Sequence, residues 1–252
     1  MPVVRDMARI QFGNSRCQIS GTYVPVADMN LATGEGVYFA HHVLLWREPQ
    51  VVMGAMPMKG GFKRLLAGLP IVMTQAQGPG HIAFSRDVPG EMLALPIQPG
   101  QAVDVREHML VVASHQVSYD FFNSNIWFRT ATGNDTETHY PVGMFMDRFY
   151  AQQSPGLVLI HAGGNAFIRQ LAPGQSILIK PPSLLFKDAS VQMQLHVEHP
   201  AGAYQSWRSW GNRYLWLRLF GPGRVAIQSS YERLEDSGNN LVGTSGATTR
   251  QW

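Results

Sequence analysis

Apolar residues alternate with polar ones through three stretches of the chain, and each stretch is broken by glycine-containing turns. The stretches begin at Leu31, Ile97 and Leu171 and align over 25 residues without a gap. Near the start of each one stands a turn glycine followed by Glu or Gln; the three glycines are Gly34, Gly100 and Gly174. Period-two apolar spacing interrupted by Gly and Pro is typical of short, half-buried strands joined by tight turns. The pattern therefore predicts a β module that is present three times.

Pro-Gly dipeptides mark a second set of turns in front of further apolar runs. They occur at Pro79-Gly80, Pro155-Gly156 and Pro222-Gly223. Proline fixes φ and glycine permits a positive φ, so the pair specifies a turn. Two of these turns precede the repeated stretch at a similar interval, so the repeating unit includes a strand led by Pro-Gly.

Residues 123–143 begin as a predicted strand at Ile126–Thr130 and then become polar and rich in Gly, Asn and Thr through Thr132–His139. This polar sequence is the predicted boundary between two halves. We therefore divide the chain into a first β unit at 1–130, a second β unit at 140–235 and a flexible tail at 236–252. In the first unit, Cys17–Val26 is predicted as one strand with a bulge or bend at Gly21.

A short helix is predicted near residues 59–69 of the first unit. Its apolar side chains fall at spacings of three and four residues, and they are Phe62, Leu65, Leu66 and Leu69. The basic residues Lys59, Lys63 and Arg64 face away from that stripe. The simpler interpretation is a helix that plugs one end of a β body. The alternative is a weak peripheral contact with anionic lipid, at about 1 kcal/mol per cation.

Composition narrows the class of protein. Only 15% of the 252 residues are charged while 45% are hydrophobic, which indicates surface that is covered by other copies of the chain. The net charge of +3 with no dominant basic run argues against strong non-specific nucleic-acid binding. Cys17 is the single cysteine, so neither an intrachain disulfide nor a cysteine zinc site can form. With no apolar leader and no run of about 20 apolar residues, we expect a soluble, cytoplasmic protein.

Six segments together carry a family resemblance. They are GEGVYF at 34–39, KRLLAGLPIVMTQAQGPGHIAFS at 63–85, the PGQ turns at 99–101 and 173–175, GMFMDRF at 143–149, and GPGRVAIQS at 221–229. In this order and spacing, the chain resembles the TRAP-like family that includes the mitochondrial "altered inheritance of mitochondria" protein and bacterial relatives of unknown function. The likeness spans about residues 17–235.

The resemblance implies an all-β fold, a tandemly duplicated double-stranded β-helix or jelly-roll-like sandwich, with the one short helix added. It also implies a homotrimer whose six β units form a pseudo-hexagonal ring. The mitochondrial relatives are associated with inner-membrane organisation, whereas the bacterial relatives supply no catalytic residues that could be carried over. Sharing this fold with an RNA-binding attenuation protein does not transfer RNA or tryptophan binding, because fold does not fix function.

Histidines are the candidate metal ligands, because cupin-type jelly rolls bind metals through histidines on adjacent strands. Two fragments are faintly cupin-like: His196 with Glu198 and His199, and His161 followed by Asn165. The remaining histidines are His41, His42, His81, His108, His115 and His139. The rest of the cupin pattern is missing, so we interpret them as surface and turn residues and predict no metal and no cofactor.

A second candidate surface lies in the aromatic and arginine-rich sequence at 207–224. Its leading residues are Trp207, Arg208, Trp210 and Arg213. Aromatic side chains that stack on bases beside arginines on phosphates would hold single-stranded RNA. The favoured alternative is a strand at Tyr214–Phe220 that buries Leu215, Leu217 and Leu219 and turns its aromatic side toward a subunit interface.

No classical nucleophile, phosphate-loop or dinucleotide motif is present. The sequence therefore predicts a non-enzymatic homo-oligomeric scaffold or binding module, with itself and an unidentified protein as partners. The alternatives are a metal- or small-molecule-binding cupin-like enzyme and a ring that binds RNA or a membrane surface.

Overall fold

The structure is a computed structural model that describes residues 9–57, 72–198, 214–232, 234 and 241–246. Within these residues the secondary structure consists of strands and two short 3-10 turns, His41–Val43 and Pro181–Ser183. The expected all-β, jelly-roll-like sandwich is thereby confirmed. The predicted helix near 59–69 lies outside the described residues. Among the described residues, no helix has the length and apolarity needed to cross a membrane.

The chain forms two compact units that interleave along the sequence. The first comprises 1–103, 108–120 and 148–165, and the second comprises 104–107, 121–147 and 166–252. Each unit thus contains residues from both predicted halves. The boundaries at 130 and 140, which rest on the polar sequence between them, stay a prediction.

Eleven strands lie wholly in the first unit. They are β1 (Arg9–Phe12), β2 (Ser15–Ser20), β3 (Val26–Leu31), β4 (Gly36–Phe39), β5 (Leu44–Arg47), β6 (Val52–Pro57), β7 (Val72–Gln77), β8 (Gly80–Phe84), β9 (Gly90–Ile97), β11 (Leu110–Ser114) and β16 (Gly156–Gly163). They form a five-stranded sheet in the order β1-β2-β3-β8-β5 and a six-stranded sheet in the order β6-β7-β4-β11-β16-β9. Pairing in the five-stranded sheet is antiparallel.

The core of the first unit joins side chains from both of its sheets. Phe39 of β4 meets Phe84 of β8 with ring centroids 4.7 Å apart in an edge-to-face arrangement. Ile19, Met29 and Ile82 are buried in the same cluster. Because these apolar residues alternate along β2, β3 and β8, the intervening residues lie on the opposite face of the five-stranded sheet.

Nine strands lie wholly in the second unit. They are β13 (Phe128–Thr132), β14 (Asp135–His139), β17 (Ala166–Leu171), β18 (Ser176–Ile179), β19 (Leu184–Asp188), β20 (Gln192–Glu198), β21 (Tyr214–Phe220), β22 (Gly223–Gln228) and β23 (Leu241–Thr244). Its sheets follow the orders β14-β13-β23, β18-β21-β20 and β19-β22-β17, and the last continues into three strands with residues in both units, namely β10 (Ala102–Arg106), β12 (Val117–Asn123) and β15 (Phe145–Ala151). Leu195, Leu217 and Val225 belong to the core cluster of this unit.

One buried ion pair stands within the second unit. Lys187 Nζ donates to Asp104 Oδ2 at 2.7 Å, and both side chains are almost fully buried. Arg106 of the same unit hydrogen bonds the carbonyl of Pro182. Removing a single charge of such a pair leaves the other buried without compensation, which strongly destabilises the fold.

The turn glycines behave as the repeat predicts. Gly34, Gly100 and Gly174 have φ values of 82°, 80° and 79°. In each turn the N–H of the next residue donates to the carbonyl two residues before the glycine, at 2.9 to 3.1 Å. Only glycine adopts this conformation without steric cost, which confirms the predicted turn chemistry. The tandem duplication itself stays a prediction.

Three segments differ from their prediction. Cys17–Val26 is not one strand with a bulge, because β2 ends at Ser20 and Gly21, with φ of 109°, begins the turn to β3. The strand predicted at Ile126–Thr130 runs instead over Phe128–Thr132, and the polar sequence after it forms a hairpin around Gly133. Leu241–Thr244, inside the predicted tail, pairs with β13 as β23.

Candidate functional site

All seven residues singled out as binding-surface candidates lie outside the described residues; they are Lys59, Lys63, Arg64, Trp207, Arg208, Trp210 and Arg213. The neighbouring strand β21 is described and has the predicted alternation. Leu215, Leu217 and Leu219 are buried, while Tyr214 is exposed on the other face. The orientation is confirmed, whereas the covering of the aromatic face by another subunit stays a prediction.

The outward face of β21 is an aromatic and cationic ladder. Tyr214 and Trp216 stack with ring centroids 6.2 Å apart, and Lys180 Nζ lies 4.5 Å from the centre of the Trp216 ring. Trp216 also donates its indole N–H to Glu198 Oε2 at 2.7 Å. The cation on the Trp216 ring occupies one of the surfaces on which a nucleobase would have to stack.

The histidines are spread over different elements. Among the described residues no group of three His, Cys, Asp or Glu side chains could hold a metal ion; the side chain of His41 and all of His199 lie outside them. His161 of β16 and His196 of β20 are both buried, and one ring nitrogen of each, Nε2 and Nδ1 respectively, has no hydrogen-bond partner. Asn165, the partner in the cupin-like fragment, is the last residue before β17.

A groove of about 450 Å³ runs across the outward face of the five-stranded sheet. Four strands supply its lining: Arg9, Ile10 and Gln11 from β1; Arg16, Cys17 and Gln18 from β2; Asp28 and Asn30 from β3; and His81 from β8. The strand register places the polar members in two rows, since Gln11, Arg16, Asn30 and His81 are successive cross-strand partners, as are Arg9, Gln18 and Asp28. We take this groove as the candidate binding site.

The β3 and β8 side of the groove is held in place by hydrogen bonds. His81 Nδ1 lies 3.1 Å from Asp28 Oδ1, with both side chains about 40% exposed. The backbone N–H of His81 donates to Glu48 Oε2 at 2.8 Å. Trp46 of β5 stacks on the His81 ring, with centroids 6.5 Å apart. The imidazole and the carboxylate therefore have a defined orientation before any ligand arrives.

The β1 and β2 side of the groove carries positive charge. Arg9 and Arg16 are exposed, and neither guanidinium forms an ion pair with a described residue. Arginine presents five donors in a planar fork that suits carboxylate and phosphate groups. The groove thus has a cationic end on β1 and β2 and a carboxylate–imidazole end on β3 and β8.

Beneath the groove, Cys17 is an apolar core residue rather than a nucleophile. It is 1% exposed and packs with the core of the first unit. Burial, with a smaller contribution from Asp28, raises the pKa of the thiol to about 12. The thiolate that nucleophilic chemistry requires is therefore absent at neutral pH.

The sequence analysis did not predict the groove. Of its lining polar residues, only His81 was interpreted as a surface residue. The signal that could have revealed it is the polar half of the alternation, with Arg16 and Gln18 on β2 and Asp28 and Asn30 on β3. The pairing of β3 with β8, more than 50 residues later, has no local sequence signal.

The fold and the groove define a β-sandwich protein with a polar surface site and no recognisable catalytic constellation among the described residues. The family described as Mitochondrial biogenesis AIM24 matches residues 17–230, which is most of the chain. The chain therefore belongs to this family, as its sequence resemblance implied. No curated protein matches the sequence.

A solved structure supports the fold independently. The chain is similar to the crystal structure of a protein from Streptococcus pyogenes, with a TM-score of 0.61 and 17% sequence identity. The match covers 86% of this chain and 94% of that one. At this identity the likeness concerns the fold alone.

Proposed function

We propose that the protein is a non-enzymatic, homo-oligomeric scaffold or binding module, that its assembled form is the trimer implied by the family resemblance, and that it acts in the cytoplasm. In this function the molecule presents the same surface several times around a symmetry axis. Assembly, rather than covalent chemistry, is then the property on which its activity depends.

The supporting observation is the position of the exposed apolar side chains. Leu45, Val52 and Phe167 are 55%, 63% and 55% exposed. They lie on β5, β6 and β17, each of which is the last described strand at one side of its sheet. Leu178 is also exposed, and it lies on β18, the last described strand at one side of its sheet.

Edge strands with exposed apolar residues are usually covered by another part of the protein or by another chain. An edge strand presents unpaired N–H and C=O groups, and an apolar edge invites pairing with another chain. Monomeric proteins usually protect their edges with charged residues, proline or a bulge. Closed symmetric assembly covers the edges of every copy in the same way, and this supports a homo-oligomer over an open aggregate.

The test compares edge variants with a matched surface variant. Leu45→Lys and Phe167→Lys each replace an exposed apolar edge residue by a charge, and Tyr23→Lys makes the same change in the turn between β2 and β3, where Tyr23 is 80% exposed. Sedimentation velocity should show that at least one edge variant weakens association by about tenfold or more, while Tyr23→Lys associates as wild type.

Urea unfolding of each variant, at one protein concentration, would establish that the variants remain folded. If both edge variants stay folded and associate as tightly as Tyr23→Lys, then apolar edges do not drive assembly and the proposal is wrong.

A further inference from the structure

We propose that the groove on the five-stranded sheet binds a phosphorylated polyol, with the phosphate on Arg9 and Arg16 and the hydroxyl groups toward Asp28. This goes beyond the assembly function and does not depend on it, because every lining residue belongs to the first compact unit of a single chain.

The position of the phosphate follows from the strand register. Arg9 is opposite Gln18, and Arg16 is opposite Gln11, so the two arginines are diagonal neighbours on one face of the β1–β2 pair. Diagonal neighbours lie roughly 7–8 Å apart, within reach of long side chains. Two guanidinium groups can therefore converge on one anionic group, and their lack of an ion-pair partner among the described residues leaves their donors available.

The position of the ligand's hydroxyl groups follows from the carboxylate and side-chain amides in the middle of the groove. Asp28 uses Oδ1 for His81, and Oδ2 accepts no hydrogen bond from a described residue. Asn30 and Gln18 flank it on the same face. A carboxylate accepts hydrogen bonds from hydroxyl groups, and side-chain amides both donate to and accept from them. A second anionic group would instead be repelled by Asp28, which favours a neutral hydroxylated body.

The groove has the size and rigidity that such a ligand requires. Its volume of about 450 Å³ lies within the range of roughly 300–1,000 Å³ that is typical of small-molecule sites. Its floor is paired sheet, and His81 is fixed by both Glu48 and Trp46. Side chains that are oriented in advance lose less entropy when a ligand binds.

Isothermal titration calorimetry of the full chain tests the assignment, with glucose 6-phosphate as the probe and glucose and inorganic phosphate as partial probes. We expect glucose 6-phosphate to bind more tightly than either part. The double variant Arg9→Gln/Arg16→Gln should weaken it by about tenfold or more, because charge-assisted hydrogen bonds are lost. Arg169→Gln, at an exposed arginine on β17, is the matched control and should bind as wild type.

A second variant separates the two ends of the groove. Asp28→Asn removes the carboxylate with little change in size. It should weaken the binding of glucose 6-phosphate several-fold. Inorganic phosphate should bind as tightly as before or more tightly, because one negative charge is gone. A variant that merely unfolded would lose both ligands, and thermal unfolding of each variant identifies that outcome.

The same chemistry occurs in a free sugar phosphate and in the headgroup of phosphatidylglycerol. Co-sedimentation with phosphatidylcholine vesicles that contain phosphatidylglycerol distinguishes these sources. Binding to glucose 6-phosphate in solution supports a free ligand. Binding to the vesicles alone, lost in Arg9→Gln/Arg16→Gln and kept in Arg169→Gln, supports a headgroup. Absence of binding in both arms, binding that survives the loss of both arginines, or inorganic phosphate binding as tightly as glucose 6-phosphate would overturn the proposal.

Discussion

His161 shows how a single buried residue couples stability to pH. Burial is the largest cause that lowers the pKa of His161, from 6.5 to about 4, and the nearby Arg86 adds to it against a hydrogen bond to the backbone of Val88. The imidazole is consequently neutral in the folded protein at pH 7. Burial also lowers the pKa of His115. The unfolded chain protonates both histidines more readily than the folded chain does.

This difference predicts acid lability. Between pH 6.5 and about 4 the unfolded chain binds a proton that folded His161 does not, so the free energy of unfolding decreases as the pH falls through that window. We expect His161 to contribute a loss of about 1–2 kcal/mol between pH 7 and pH 5. Urea unfolding of wild type and of His161→Asn at both pH values measures it.

The variant should lose less stability than wild type over the same interval, even if its stability at pH 7 is lower. An equal pH dependence in the two proteins would show that His161 is not the group responsible.

At the scale of elements, glycines serve two separate purposes. Gly100 provides a φ of 80° in its turn, and a Cβ added there would meet no atom within 4 Å. A Cβ added at Gly78, between β7 and β8, would lie 2.5 Å from the carbonyl oxygen of Ala32. The first glycine is required by backbone conformation, and the second by close packing of one backbone on another.

Alanine substitution should separate these purposes. Gly100→Ala carries only the cost of a left-handed backbone, about 1–2 kcal/mol. Gly78→Ala must move backbone in addition and should cost more, about 2–4 kcal/mol. Chemical denaturation measures both free energies of unfolding; if Gly78→Ala is the milder substitution, the packing argument is incorrect.

Elements were predictable from the sequence where the information is local. The alternation of Leu215, Leu217 and Leu219 predicted β21, and the repeated glycines predicted their turns. The end of β2 at Ser20 was not predictable, because Gly21 is compatible with either a bulge or a turn. The same limit applies to the site: Arg9, Asp28 and His81 come from three strands whose pairing is set by packing of the whole sheet.

At the scale of the whole molecule, apolar edges and a polar groove have different consequences. In the proposed assembly, edges such as β5 and β17 make the contacts between identical chains, whereas the proposed ligand binds the groove through charge and hydrogen bonds. The central claim is the first of these, because it gives a physical reason for 15% charged residues in a chain of 252.

The molar mass of the wild-type chain in solution tests that claim most directly. Light scattering coupled to size-exclusion chromatography should give about three times the chain mass of 28.0 kDa, maintained on dilution. A folded protein that elutes with a mass of 28.0 kDa across the concentration range would contradict the account.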